Sequence, residues 1–540
     1  MAELYYNAKV YVEKGHYEQA VLVEDGIIRQ VGSSERLLSD APAGTTCVDC
    51  GGRTMIPGLN DSHLHFAQFS ETLNQAQIAD VSSIEEMIGV CRKFAAEHPG
   101  HVKNGLHALG WNQDLFTDSD RLPDRHDLDK ISTEYPIVLE RVCGHIVSTN
   151  TKLIEILQRN GEIGECKGQD CLTDENGVPT GIFTGNGCNI AKRQIPDFTM
   201  DERHAFMLDA MDYAVSHGLT SVQSNDVGTT FLDGPAAFRL LHEIYNNGEG
   251  KVRYRHQVCF NSLTDFEDYL TRGEYAVGEY KKGSWLTLGP LKLFKDGSLG
   301  ARTGLMSHGY VDDPDNHGLE WITEEDMDRY CRLAKEHNLQ VVTHCIGDEA
   351  VRRTVACYER AFVDGKNKLR HAVVHCQITD RALLERIAKD DILVFAQPIF
   401  LDYDMNIVEK LCGKELASTS YAFGTLLRMG VHLSYGTDCP VEDCNPFPNI
   451  YMAVTRKDRQ GRPAGGFYPG ECVDVETAID AYTKESAYAE FQEDVKGRLM
   501  PGYYADMVLL DRDIFTVDPM EIKDILPVMT IVGGRVVYQR

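Results

Sequence analysis

The sequence predicts an α/β fold: a (β/α)8 TIM barrel, a small β-sandwich formed by both chain ends, and a large insertion after the first barrel strand. Three observations carry this. From residue 201 onward, β-rich segments alternate with helical patterns, and with one strand near residue 60 they number eight. His63 and His65 stand two apart, so on an extended strand both point to the same face. Both chain ends read as short strands joined by tight turns, each set too small to bury a core alone.

At the start of the chain, apolar runs at 20–23 and 27–31 flank Glu24-Asp25-Gly26. Asp-Gly between such runs favours a hairpin, because both turn residues tolerate positive φ. At the far end, 505–510 is an apolar run, and 530–532 meets 535–538 across Gly533-Gly534. Residues 1–54 and 498–540 are therefore expected to pair into one composite sandwich, with 55–497 as the barrel domain. Pro57 and Gly58 mark a turn ahead of the first barrel strand. Residues 67–200 lack clean alternation and read as an insertion of mixed structure, with an apolar run at 137–139 and a Gly-rich piece at 181–187. Inserted segments on barrels often line the site. Trp111, Asp114 and His145 are its candidate substrate-binding residues. A helical pattern over 201–217 has a carboxylate-rich start and Gly218 past its end. Strands are then expected at 219–223, 253–260, 286–294, 340–344, 372–375, 392–396 and 432–435, with helices such as 324–337 and 382–389 between them.

Composition narrows the partners. The chain has 540 residues, 43% apolar and 25% charged, enough to bury a large core without disulfides. Its 54 basic and 82 acidic residues give a net charge of −28, which argues against nucleic acid and anionic membranes. The 16 cysteines form no framework, and Cys47-Val48-Asp49-Cys50 reads as a strand end rather than a zinc or redox site. No apolar run approaches the ~20 residues of a spanning helix, and the opening residues have no secretory pattern. The expectation is a cytoplasmic protein acting on a small molecule, with a homodimer among the assemblies open to it.

In a barrel, side chains that do chemistry stand at the C-terminal ends of the strands. His63 and His65 end strand one. Lys292 sits on strand four, His344 ends strand five and His375 strand six. Asp438 follows strand eight, after Gly436-Thr437. Each has a bland alternative. A lone strand-end His is often a hydrogen-bonded structural group, an Asp in Gly-Thr-Asp a turn or cap residue, and a lone lysine a snorkelling one. Jointly these alternatives fare badly, because all six residues fall at the same end of expected strands. Imidazole and carboxylate together suit Zn²⁺, Fe²⁺ or Mn²⁺.

These motifs resemble those of the amidohydrolase superfamily, and more closely its YtcJ-like branch (amidohydrolase family 3), which includes N-substituted formamide deformylases. Pro57-Gly58-Leu59-Asn60-Asp61-Ser62-His63-Leu64-His65 resembles the first-strand motif, and Leu291-Lys292-Leu293-Phe294-Lys295-Asp296-Gly297 the fourth-strand lysine motif. Thr343-His344-Cys345 and Val374-His375-Cys376 resemble the fifth and sixth, and Gly436-Thr437-Asp438-Cys439-Pro440 the eighth. The resemblance implies that His63 and His65 bind one metal with Asp438 near it. It implies that Lys292, carboxylated by CO₂, bridges to a second metal held by His344 and His375. An ordinary lysine is a cation and cannot ligate a metal as it stands. The implied cofactor is a divalent metal, zinc first with iron or manganese as alternatives, one or two per chain. The implied reaction is hydrolysis of a non-peptide C–N bond by a metal-activated hydroxide, with Asp438 as general base, in an N-acyl or N-formyl amine or a cyclic amide. A deaminase of a heterocycle and a non-catalytic regulatory protein on the same fold are the alternatives. Two departures stand out: Val374 occupies a position where the branch often has Glu, and Lys295 offers a second lysine on the face opposite Lys292.

Overall fold

A computed structural model describes residues 2–79, 81–142, 145–166, 170–227, 234–272 and 284–540. The chain divides into two compact units, Met1–Gln68 with Leu208–Arg540, and Phe69–Met207.

The first unit holds the barrel. Eight strands lie in sequence order in one parallel sheet: Leu59–Leu64, Leu219–Val227, Arg253–Val258, Leu286–Phe294, Val341–Cys345, Ala372–His375, Leu393–Ala396 and Leu433–Tyr435. These are the expected eight, shifted at most a few residues at their ends. Strands three, six, seven and eight are buried at every position. That is the mark of a parallel sheet filled on one side by its own side chains and covered on the other by helices. The helix Glu324–Glu336 starts where Thr323 accepts from the amide of Asp326, with three carboxylates in its first turn and Met327, Tyr330, Cys331 and Ala334 on its buried stripe. Helix Arg381–Lys389 begins the same way on Asp380.

Closure of the ring falls at the predicted site. The amide of Asp438 donates to the His63 carbonyl at 2.9 Å, and the amide of His65 to that of Cys439 at 2.7 Å. Buried Asp61 accepts from the Thr437 hydroxyl at 2.6 Å, the Thr437 amide at 3.0 Å and the His63 amide at 3.1 Å. Strands eight and one thus meet backbone to backbone. Gly436 permits the approach: a Cβ there would stand 2.7 Å from His63 N and 2.8 Å from Asp61 Oδ1. Gly436→Ala is expected to destabilise the protein by about 1–3 kcal/mol, since neither neighbour can yield without opening the seam. A lowered melting temperature checks this; an unchanged one would mean that the seam is loose.

Two further sheets belong to the same unit. One has six strands in the order Arg535–Gln539, Pro527–Val532, Met507–Leu510, Thr54–Pro57, Lys9–Glu13, His16–Glu18. The other has four, in the order Ile27–Gly32, Ala20–Glu24, Ala2–Tyr6, Thr46–Asp49. They share a core that includes Tyr5, Val10, Val21, Met55, Met507 and Ile531. Ile56 pairs with Val508, so residues 54–57 belong to this sandwich. The barrel strand begins only at Leu59, past the boundary expected at 55. Both hairpin turns take positive φ at both central residues, 51° and 78° at Asp25-Gly26 and 55° and 74° at Gly533-Gly534. Cys47 is exposed, Cys50 is buried, and both are free thiols.

The second unit is more ordered than a mixed insertion. It contains a five-stranded sheet in the order Cys171–Thr173, Pro179–Thr184, Ile146–Thr149, Ile137–Arg141, Leu106–Trp111. Its core, around Ile84, Met87, Leu106, Trp111 and Leu139, is its own. Among the described residues no helix is long and apolar enough to cross a membrane.

Candidate metal centre

His63 is buried on the first barrel strand, His65 stands just past its end, and Asp438 follows the eighth strand with φ 58°. The Nε2 atoms of His63 and His65 each lie 3.3 Å from Asp438 Oδ1. The hydrogen-bond network assigns the protons. His65 Nδ1 is 3.0 Å from the main-chain oxygen of Asn225, which can only accept. His63 Nδ1 is 2.7 Å from Gln257 Oε1, and the Gln257 amide is fixed in turn by donating to the Ser62 carbonyl at 2.9 Å. Both protons therefore sit on Nδ1, and both Nε2 lone pairs face the carboxylate. Asp438 Oδ1 is buried and has no hydrogen-bond donor. Three acceptors converge and none brings a proton of its own, their ligand atoms all within 4.8 Å of one another. A divalent cation fits that set, and a hydrogen bond does not.

Electrostatics agree. Burial, with Lys292 close by, holds the His63 imidazole down to about 4, so it is neutral and ready to ligate at neutral pH.

A second imidazole pair adjoins the first. His344 Nδ1 and His375 Nε2 are 2.9 Å apart. His344 Nε2 donates to the Gly297 carbonyl at 2.8 Å, which leaves its Nδ1 lone pair facing His375. His375 Nδ1 meets Gln397 Oε1 at 2.8 Å. The His63 and His375 rings are 5.8 Å apart. Lys292 Nζ lies 3.3 Å from His63 Nε2 and 4.0 Å from the Phe294 ring centre, and burial lowers its pKa to about 8. Its strand-mate Lys295 turns the other way, into an ion pair with Glu320 at 2.7 Å. Val374 packs with Val342 and Phe395, so a carboxylate there would face apolar side chains.

The barrel thus gathers all six metal-site candidates. The three insertion candidates differ. Trp111 offers a ligand nothing: it is fully buried in its unit's core, and its only donor is satisfied by the Leu139 carbonyl at 2.9 Å. This corrects the pocket role expected for it. Asp114 is exposed and pairs with Arg141 at 3.1 Å, and His145 is exposed. Sequence reasoning missed Asn225, Gln257 and Gln397, which orient the imidazoles. All three stand at the C-terminal ends of strands two, three and seven, so the rule that found the histidines would have found them too. It also missed Asp296, which takes the amides of Leu305, Ile346 and Gly347 at 2.8, 2.9 and 2.8 Å and so ties down the turn after His344. A cavity of about 810 Å³ opens beside the site, lined by His65, Cys259, Lys292, Phe294 and Trp321 among others.

The family model described as the amidohydrolase family matches residues 46–538. YtcJ of Bacillus subtilis (strain 168), an amidohydrolase by name, is 28% identical over 530 residues, which are 98% of this chain and 97% of its own. An N-substituted formamide deformylase of Arthrobacter pascens is 22% identical over 542 residues, 97% of this chain and 95% of its own. The crystal structure of an uncharacterized metal-dependent hydrolase from Pyrococcus furiosus has a TM-score of 0.76 and 27% identity, covering 96% of this chain and 100% of that one. Family match, relatives and barrel agree over nearly the whole length: the chain belongs to the amidohydrolase family.

Proposed function

We propose that this protein is a hydrolase that uses a divalent metal to cleave a C–N bond other than a peptide bond, in an N-acyl or N-formyl amine or a cyclic amide. The observation that carries the reading is the set of unprotonated acceptors at the barrel mouth, His63 Nε2 and His65 Nε2 each 3.3 Å from Asp438 Oδ1. The name of the Arthrobacter pascens relative belongs to that protein and motivates the choice of C–N bond.

His63, His65 and Asp438 would hold one cation. His344, His375 and a carboxylated Lys292 would hold a second. Zinc suits this donor set best, with iron and manganese next. When bound, such a cation supplies an acidified water and a Lewis acid for the substrate carbonyl. The remaining work falls to the chain. Asp438, a carboxylate beside the cation, accepts the proton of the attacking water and passes it to the leaving nitrogen. Gln257 and the Asn225 carbonyl hold the imidazoles in the tautomer that points Nε2 at the site. The lowered pKa of Lys292 raises its fraction of neutral amine, the form that adds CO₂. A new N–C bond forms, a proton leaves, and an anionic oxygen donor replaces a cation.

Metal analysis of protein purified without chelator, with a panel of formamides, N-acyl amino acids and cyclic amides, tests the reading. At least one metal equivalent and release of an amine are expected. Ammonia released from a heterocycle would replace it with a deaminase. Absence of both metal and turnover would overturn the hydrolase.

A further inference from the structure

The cavity beside the metal centre has a strongly aromatic wall, formed by Phe260, Leu263, Leu293, Phe294, Trp321 and Tyr330. Trp321 is the unusual member. It is 58% exposed, although indole is among the side chains that gain most from burial. Its ring lies parallel to that of His344, 5° between planes and 6.4 Å between centres, and 6.2 Å from Phe294.

The exposed ring is carried on a backbone fixed from below. The Trp321 amide donates to the Lys295 carbonyl at 2.9 Å. Lys295 Nζ donates to the Ile322 carbonyl at 2.7 Å and pairs with Glu320 at 2.7 Å. Glu320 is held from its other side by Arg353 at 3.0 Å. One buried lysine thus engages three consecutive residues, with Trp321 in the middle. The second lysine of the fourth-strand motif has a task of its own. The backbone that carries the indole is thus ordered before anything binds, which lowers the cost of binding.

The charges on the cavity rim pair with one another. Arg329, the only arginine among the described residues lining the cavity, is tied to Glu325 at 2.7 Å and Asp326 at 3.4 Å. Two carboxylates thus neutralise Arg329 on the rim, and Lys292 is the other basic side chain beside it in the lining.

We propose that Trp321, held over the cavity by Lys295, is a specificity-determining residue that stacks on a flat apolar group of the substrate. This rests on the hydrolase reading, which makes the cavity the substrate site.

Two probes isolate the stacking: acetanilide, which is flat, and N-cyclohexylacetamide, which is apolar but not flat. Their affinities are measured by equilibrium dialysis against the metal-loaded protein, with turnover followed separately. Wild type is expected to bind acetanilide about fivefold to tenfold more tightly than N-cyclohexylacetamide, the scale of an aromatic stacking contact. Trp321→Ala should erase that preference and Trp321→Phe keep most of it. Acetanilide should also slow alkylation of Cys259, which lines the same cavity. Lys295→Met should behave like Trp321→Ala if it folds; the exposed Trp321 keeps the test independent of that outcome. Equal affinity for acetanilide and N-cyclohexylacetamide, a preference that survives Trp321→Ala, or no binding of any probe would overturn the proposal. Intact stacking preference with no amide turned over would overturn the hydrolase reading alone.

Discussion

Asp438→Asn is expected to keep its metal and its fold and to lose turnover by about a thousandfold, within the range that general acid–base catalysis contributes. The amide leaves a neutral oxygen where Oδ1 faces His63 and His65, so the cation site keeps its shape. What disappears is the proton acceptor. An amide cannot take a proton at any working pH. The measurement is kcat alongside metal content and melting temperature. Activity within tenfold of wild type, with metal retained, would assign the base elsewhere.

Removing the metal is expected to abolish activity and to cost stability together. Without a cation, two imidazole lone pairs converge on a buried carboxylate oxygen that has no donor, and Lys292 Nζ, 3.3 Å from His63 Nε2, stands near them. A ligand that binds only the folded state stabilises it by about 2.7 kcal/mol when free metal is about a hundredfold above its dissociation constant. Chelator-treated protein should therefore melt earlier, and added Zn²⁺ should restore both melting temperature and turnover. The stoichiometry of that restoration is informative. Full activity at one equivalent per chain would remove the second site. If two are required, Lys292→Ala should retain only one.

Much of this was legible in the chain itself, and the reasons are physical. Barrel strands announce themselves because burial on both faces demands unbroken apolar runs, as at 372–375 and 392–396. His63 and His65 were readable because strand geometry alone puts alternate residues on one face. The same alternation separates Lys292 from Lys295. Other features depend on partners distant in sequence. Nothing local tells that Gln257 meets His63 across 194 residues. The tryptophans show the limit most directly. Trp111 looked like a ligand contact and is sealed in a core, while Trp321, unremarked in its sequence context, lines the cavity. An indole serves either purpose, and only the tertiary environment decides.

The six-stranded sheet has a consequence for synthesis on the ribosome. Its strand Thr54–Pro57 is flanked by Lys9–Glu13 on one side and Met507–Leu510 on the other. At about 5–20 residues per second, the early strand emerges tens of seconds before its later neighbour exists. Through that interval its edge is an open template for pairing with other nascent chains. Slowed elongation, or truncation before residue 507, should therefore yield aggregates seeded by the N-terminal strands while the barrel helices are still being made.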